Sequence, residues 1–128
     1  MSLNQIITFF IEKNHQKGWR IVFWLNTLLL LYLTLSKPTG LGIGIDHIDK
    51  LFHLVGFAAF AFFLYLGYPH LKSLRVVLIS LALGILVEII QSILPYRSFD
   101  LFDLAADFIG IAAAVLIVNK AQIYIEDS

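Results

Sequence analysis

Long apolar stretches alternate with short polar breaks along the chain. Four of the stretches approach the length of a membrane-spanning helix, which needs about 20 mostly apolar residues within a range of roughly 17–25. They run at about 19–35, 51–68, 76–94 and 101–118. The first closes on an almost unbroken leucine run, and the second carries His53 as its only ionisable group outside its aromatic residues. The third is interrupted by Glu88 and Gln91, and the fourth has Asp103 and Asp107 near its start. All sit toward the short end of the range, which suits a thin or locally pinched bilayer. Ahead of them, Leu3, Ile6, Ile7 and Phe10 recur at the spacing of one helical face and are followed by Lys13 and Lys17. That pattern predicts a short amphipathic helix lying on the membrane surface.

The breaks read as turns. Ser36 to Ile45 holds a proline and the run Gly40-x-Gly-x-Gly44, which lacks the strand-and-helix context of a nucleotide loop. Tyr68 to Ser73 and Pro95 to Ser98 are the other two breaks. The apolar core of the first span is longer than that of a signal peptide and no small-x-small cleavage site follows it, so it reads as an uncleaved anchor. The expected fold is all-α: a membrane-embedded four-helix bundle of two tandem hairpins, one domain over 1–128, with the amphipathic helix in front.

Composition locates the chain without assigning an activity. It is 59% hydrophobic and 14% charged, with a mean hydropathy of +0.86, against roughly 25% charged residues in soluble domains. A length of 128 residues leaves room for one domain. A soluble or multidomain enzyme is excluded. Nine basic and nine acidic residues cancel, leaving no surplus to hold nucleic acid. With no cysteine there is no disulfide or thiolate site. Six lysines and arginines (Lys13, Lys17, Arg20, Lys72, Arg75, Lys120) fall on one side of the predicted membrane, against three (Lys37, Lys50, Arg97) on the other. Both termini are therefore expected in the cytoplasm and the two short polar loops outside.

Charge placement is more telling than the total. Six of the nine acidic residues, Asp46, Asp49, Glu88, Asp100, Asp103 and Asp107, lie in or beside the outer half of spans two to four. An ionised carboxylate at the bilayer centre costs about 2.5–3.5 kcal/mol even on the lenient insertion scale. These groups must face each other, a cation or a water-filled cavity. Asp46, Asp49, His53 and Gly56 share one helical face; so do Gly84, Glu88, Gln91 and Pro95, and again Asp100, Asp103, Asp107, Gly110 and Ala114. Each stripe reaches about 10 Å inward at 1.5 Å per residue, which predicts one outward-opening polar pocket. The pattern Asp46-x-x-Asp49-x-x-x-His53-x-x-Gly56 reappears as Asp100-x-x-Asp103-x-x-x-Asp107-x-x-Gly110. A degenerate tandem duplication accounts for it, with two hairpins related by a pseudo-twofold axis.

Plainer roles stand beside these. Asp46 and Asp100 also suit helix N-caps, and Asp49 and Asp103 suit the first turn beside the helix dipole. Gly56, Gly84 and Gly110 suit close packing. Lys50 and Arg97 can snorkel, although Arg97, set among carboxylates, also suits an ion pair or an anion. His53 has an inert buried alternative. Neither capping nor snorkelling fits Glu88, a carboxylate in mid-helix.

The residues Asp49-Lys50-x-x-His53-x-x-x-Phe57 and Glu88-x-x-Gln91-x-x-x-Pro95-x-Arg97-x-x-Asp100-x-x-Asp103-x-x-x-Asp107-x-x-Gly110 resemble the VanZ-like family of small bacterial membrane proteins. The resemblance covers roughly 46–114 and implies a four-span protein of the bacterial cell envelope, in a family named for resistance to the glycopeptide teicoplanin. The family typically has Asn where this chain has Asp107, an exchange that adds a titratable proton.

Three mechanisms compete. In the first, the outer site binds or modifies a lipid-linked or amphiphilic molecule. Glu88, His53 and Asp103 are then the candidate acid–base core, and Asp49, Lys50, Gln91, Arg97, Asp100 and Asp107 the candidate ligand contacts. No cofactor is required, although His53, Asp49, Glu88 and Asp103 are the set that would hold a divalent cation. In the second, a non-catalytic binding or partner protein is stabilised by the same charges as a structural network. A proton or ion pathway, the third, is weaker because 76–83 and 111–118 offer no continuation.

Overall fold

The computed structural model describes residues 1–37 and 45–126, with the side chains of all of these except 45–47 and 124–126. The glycine-rich turn Gly40–Gly44 and the side chain of Asp46 lie outside the described residues. Helix α1 (Leu3–Ile11) leads through a one-turn 3-10 helix (Lys13–His15) into α2 (Gln16–Leu35), followed by α3 (Ile45–Gly67), α4 (Ser73–Ile93) and α5 (Leu101–Glu126). Among the described residues there is no strand. Helices α2 to α5 are each long and apolar enough to cross a membrane, and they run alternately up and down.

The helices overrun four of the eight predicted limits, the starts of α2, α3 and α4 and the end of α5. Helix α3 begins six residues before Leu51, and α5 ends well past Val118. Polar residues set the predicted ends, yet they continue the helix wherever a neighbour satisfies them. Asn119 accepts from Ser73 Oγ at 2.8 Å and Gln122 from Tyr65 at 3.0 Å, so the last turns of α5 are tied to α4 and α3. The predicted surface helix is α1, with no buried residue. Its start carries an unforeseen capping box, Ser2 with Gln5, each side chain accepting the other's backbone N–H. Phe10 stacks on Trp19, and Trp19 on Phe63, so aromatic rings join α1 to α2 and α3.

The closest packing is between α3 and α5. On α5, Ala106, Gly110 and Ala114 recur four residues apart and are all buried, the small-residue spacing that lets membrane helices approach. A Cβ at Gly110 would stand 2.2 Å from the Leu54 carbonyl oxygen and 3.1 Å from the Ala58 nitrogen. Backbone meets backbone at this point. Gly56, its counterpart in the sequence repeat, faces α2 instead, where a Cβ would meet the tip of the Leu30 side chain. The apolar core spreads from the seam through Phe57, Phe60, Ala61, Leu64, Ile111 and Val115.

Gly110→Ala is expected to lower the melting temperature in detergent, at the upper end of the ~1–3 kcal/mol cost of overpacking. Gly56→Ala displaces only a flexible side-chain tip and is expected to stay within about 1 kcal/mol. Equal melts for the two variants would contradict the backbone contact at Gly110.

Candidate functional site

Helix α2 ends, α3 begins, α4 ends and α5 begins at one end of the bundle, and the polar stripes converge there. The last four carbonyls of a helix have no partner within the helix. The carbonyls of Leu33, Thr34 and Leu35 at the end of α2, and of its C-cap Ser36, are all satisfied by α4 and the segment that follows it. Arg97 donates through Nη2 to Leu33 at 3.2 Å and to Ser36 at 3.1 Å, and through Nε to Ser36 at 3.2 Å. Gln91 Nε2 donates to Thr34 at 2.7 Å, and the Tyr96 hydroxyl to Leu35 at 2.9 Å. Arg97 also holds Asp49, with Nη1 to Oδ1 at 2.9 Å. A guanidinium at a helix C-terminus further complements the dipole. Gln91 and Arg97, expected among the ligand contacts, are directed to the end of α2. Tyr96 and the α2 carbonyls were missed, since nothing local in the sequence marks a contact about 60 residues away, as between Tyr96 and Leu35.

The start of α5 is capped from two directions. Asp100 Oδ1 accepts the Phe102 N–H at 2.8 Å, the N-cap role that was one of its two readings. The backbone N–H of Asp100 donates to Glu88 Oε2 at 3.0 Å. Glu88 therefore takes the place of the Glu at the third helical position in a capping box, but from a neighbouring helix. The expectation that no capping role fits Glu88 is corrected: the residue is mid-helix in α4, yet it caps α5. Lys50 Nζ lies 2.8 Å from Asp100 Oδ2 and 3.4 Å from Asp103 Oδ1, bridging α3 to α5. The Lys50 ammonium holds the Asp100 carboxyl below its ordinary value of 3.8.

Beneath these pairs sits the centre. His53 of α3, Glu88 of α4 and Asp107 of α5 have no exposed surface, and Asp103 is 3% exposed. His53 Nδ1 lies 2.8 Å from Asp107 Oδ1 and 4.0 Å from Glu88 Oε1, while Nε2 lies 3.7 Å from Asp103 Oδ2. One imidazole thus has a carboxylate on each ring nitrogen. The carboxylate of Asp107 fits because Gly84 has no side chain: a Cβ there would stand 2.8 Å from Oδ2. The glycines at 84 and 110 set how closely α4 and α3 approach α5, and so place the centre. His53 Nε2, Glu88 Oε1 and Asp107 Oδ2 are buried without a hydrogen-bond partner, as is Ser80 Oγ deeper on the same face of α4. The stripes meet as expected, but among the described residues His53, Glu88, Asp103 and Asp107 are buried rather than lining an outward opening. The ion pairs Lys50–Asp100 and Arg97–Asp49 lie above this centre. Such a group can hold a proton on either ring nitrogen or bind a cation among its oxygens.

An all-helical chain with four helices able to span a bilayer and a buried acid–histidine centre at one end is a small multi-pass membrane protein. It belongs to the VanZ/LLP1 family, whose model matches residues 3–122. Among curated proteins and among solved structures, none matches.

Arg97→Ala strips two α2 carbonyls of their partner and leaves Asp49 unpaired, so a stability loss of about 2–4 kcal/mol is expected in detergent unfolding. An unchanged midpoint would contradict the capping role. Asp100→Asn keeps the N-cap and removes the charge. The charge stabilises above the ordinary carboxylate value of 3.8 and ceases to do so as the pH falls through the lowered folded value. The stability gap between wild type and Asp100→Asn is therefore expected at neutral pH and should close in acid; a gap that widens in acid would reverse the assignment.

Proposed function

We propose that this centre binds the polar head of a lipid-linked or amphiphilic molecule at the outer face of the bacterial cytoplasmic membrane, with both termini in the cytoplasm. The observation that carries the reading is His53, fully buried and flanked by carboxylates from two other helices, with Glu88 Oε1 and Asp107 Oδ2 left without partners. Such an arrangement is costly to retain unless something occupies it. His53, Glu88, Asp103 and Asp107 are the contacts for the head group, and the first three are the groups that would exchange protons with it. Lys50–Asp100 and Arg97–Asp49 form the gate that must part for entry. Support for an amphiphile comes from an apolar groove of about 160 Å³ between α2 and α3, lined by Leu29, Leu33, Phe52, Val55 and Ala59 and reaching Thr34 beside the gate. A hydrocarbon chain suits it. The outward direction rests on the excess of lysine and arginine at the opposite side, and the envelope setting and a link to glycopeptide resistance rest on the family.

A second reading, that the charges are purely structural, is favoured for Gln91, Arg97 and Asp100 by their capping bonds. The two readings divide the polar residues between an outer ring of caps and an inner binding centre.

Native mass spectrometry of the chain, incubated in turn with phosphatidylglycerol, phosphatidylethanolamine and a polyprenyl phosphate, tests the ligand. Phosphatidylethanolamine, whose ammonium group suits the carboxylates, is expected to bind at one molecule per chain and to be lost in Glu88→Gln. Equal, non-saturating adducts with all three lipids and in the variant would overturn the reading.

A further inference from the structure

We propose that the deepest part of the centre is a divalent-cation site, with His53 Nδ1, Glu88 and Asp107 as its three protein ligands and manganese or zinc as the ion. This rests on the reading of the centre as a binding site and names what occupies its inner side. One ligand atom from each residue falls within a group whose members all lie within 4.8 Å of one another. His53 Nδ1 is hydrogen-bonded to Asp107 Oδ1 at 2.8 Å and lies 4.0 Å from Glu88 Oε1; an ion entering here displaces the shared proton and spreads the pair toward the ~3–3.5 Å that separates ligand atoms around an ion at about 2.0–2.2 Å. Small rotations of the side chains complete the fit.

Unpartnered atoms point the same way. Glu88 Oε1 and Asp107 Oδ2 are fully buried with no donor, and a cation is the partner that buried carboxylate oxygens lack here. The outer contacts are those that orient metal ligands. Glu88 Oε2 is held by the Asp100 N–H, and the second ring nitrogen of His53 faces Asp103, itself beside Lys50. Two carboxylates with a neutral imidazole bring two negative charges, which one divalent ion balances. Asp49, His53 and Asp103 form a second group of suitable spacing, but Arg97 and Lys50 already lie against those carboxylates. Repulsion from these two cations selects the inner group. One imidazole with two carboxylates and no thiolate suits manganese or zinc better than magnesium or calcium, which prefer oxygen alone.

The test uses the full chain in detergent, stripped with chelator and dialysed against Mn²⁺ or Zn²⁺, with bound metal counted by mass spectrometry. About one ion per chain is expected, with affinity lowered by about tenfold or more in Glu88→Gln and in Asp107→Asn. Glu88→Gln keeps an oxygen for the Asp100 N–H and so is expected to fold. The ion should raise the melting temperature of wild type, since it binds only the folded chain, and should raise that of Glu88→Gln by clearly less. No bound ion in wild type would overturn the site. So would an ion lost in Asp49→Asn but kept in Glu88→Gln. Lipid binding without metal refutes this inference alone, and metal binding without lipid refutes only the ligand reading.

Discussion

A helix end leaves carbonyls or N–H groups that its own backbone cannot satisfy, and at the polar end of this bundle most of them find a partner elsewhere in the chain. That constraint explains most of the polar residues between Glu88 and Asp107. The end of α2 exposes four carbonyls, and Gln91, Tyr96 and Arg97 meet all of them. The start of α5 exposes N–H groups, and Asp100 and Glu88 meet two. The segment joining α4 to α5 is therefore a clasp: it fastens the turn of one hairpin, at the end of α2, to the turn of the other, at the start of α5. The opposite end repeats the device on a smaller scale, with Arg20 Nε donating to the Gly67 carbonyl of α3 at 2.8 Å.

Capping does not account for the deeper groups. His53, Asp103 and Asp107 lie in the α3–α5 seam, where the bare backbone at Gly110 allows the closest approach of the two helices. Packing and chemistry are linked at that point. The contact brings Asp107 to 2.8 Å from His53, and Gly84 makes room for the carboxylate on the α4 side. Glu88 belongs to both parts, with one oxygen on the Asp100 N–H and the other turned toward His53. Glu88 thus links the centre to the start of α5, and Asp100 extends the contact to Lys50.

The four spans were legible in the sequence because apolar runs of this length have few other uses. The convergence of His53, Glu88, Asp103 and Asp107 was legible too, since carboxylates on single helical faces must turn from lipid toward one another. Helix limits were less so. The first turns of α3 carry Asp49 and Lys50 ahead of the apolar span, and their partners Arg97 and Asp100 show why these charges are tolerated there. Capping of α2 by Gln91, Tyr96 and Arg97 was hidden too. A carbonyl has no residue code, and a contact between Arg97 and Leu33 spans 64 positions. Burial of the centre was equally out of reach, because it depends on which charges pair above His53.

The division between structural caps and a binding centre is tested most directly by comparing two sets of apolar or neutral replacements in the same detergent melt. One combines Gln91→Met with Arg97→Met. The other combines His53→Leu, Glu88→Gln and Asp107→Leu, sparing the acceptor for Asp100. Removing caps leaves the carbonyls at the end of α2 without their partners, whereas replacing a whole buried polar group by apolar side chains is often neutral or stabilising. The expected result is a much lower melting temperature for the first set and one at or above wild type for the second. A second set that melts as low as the first would contradict the account, since the inner centre would then be part of the scaffold.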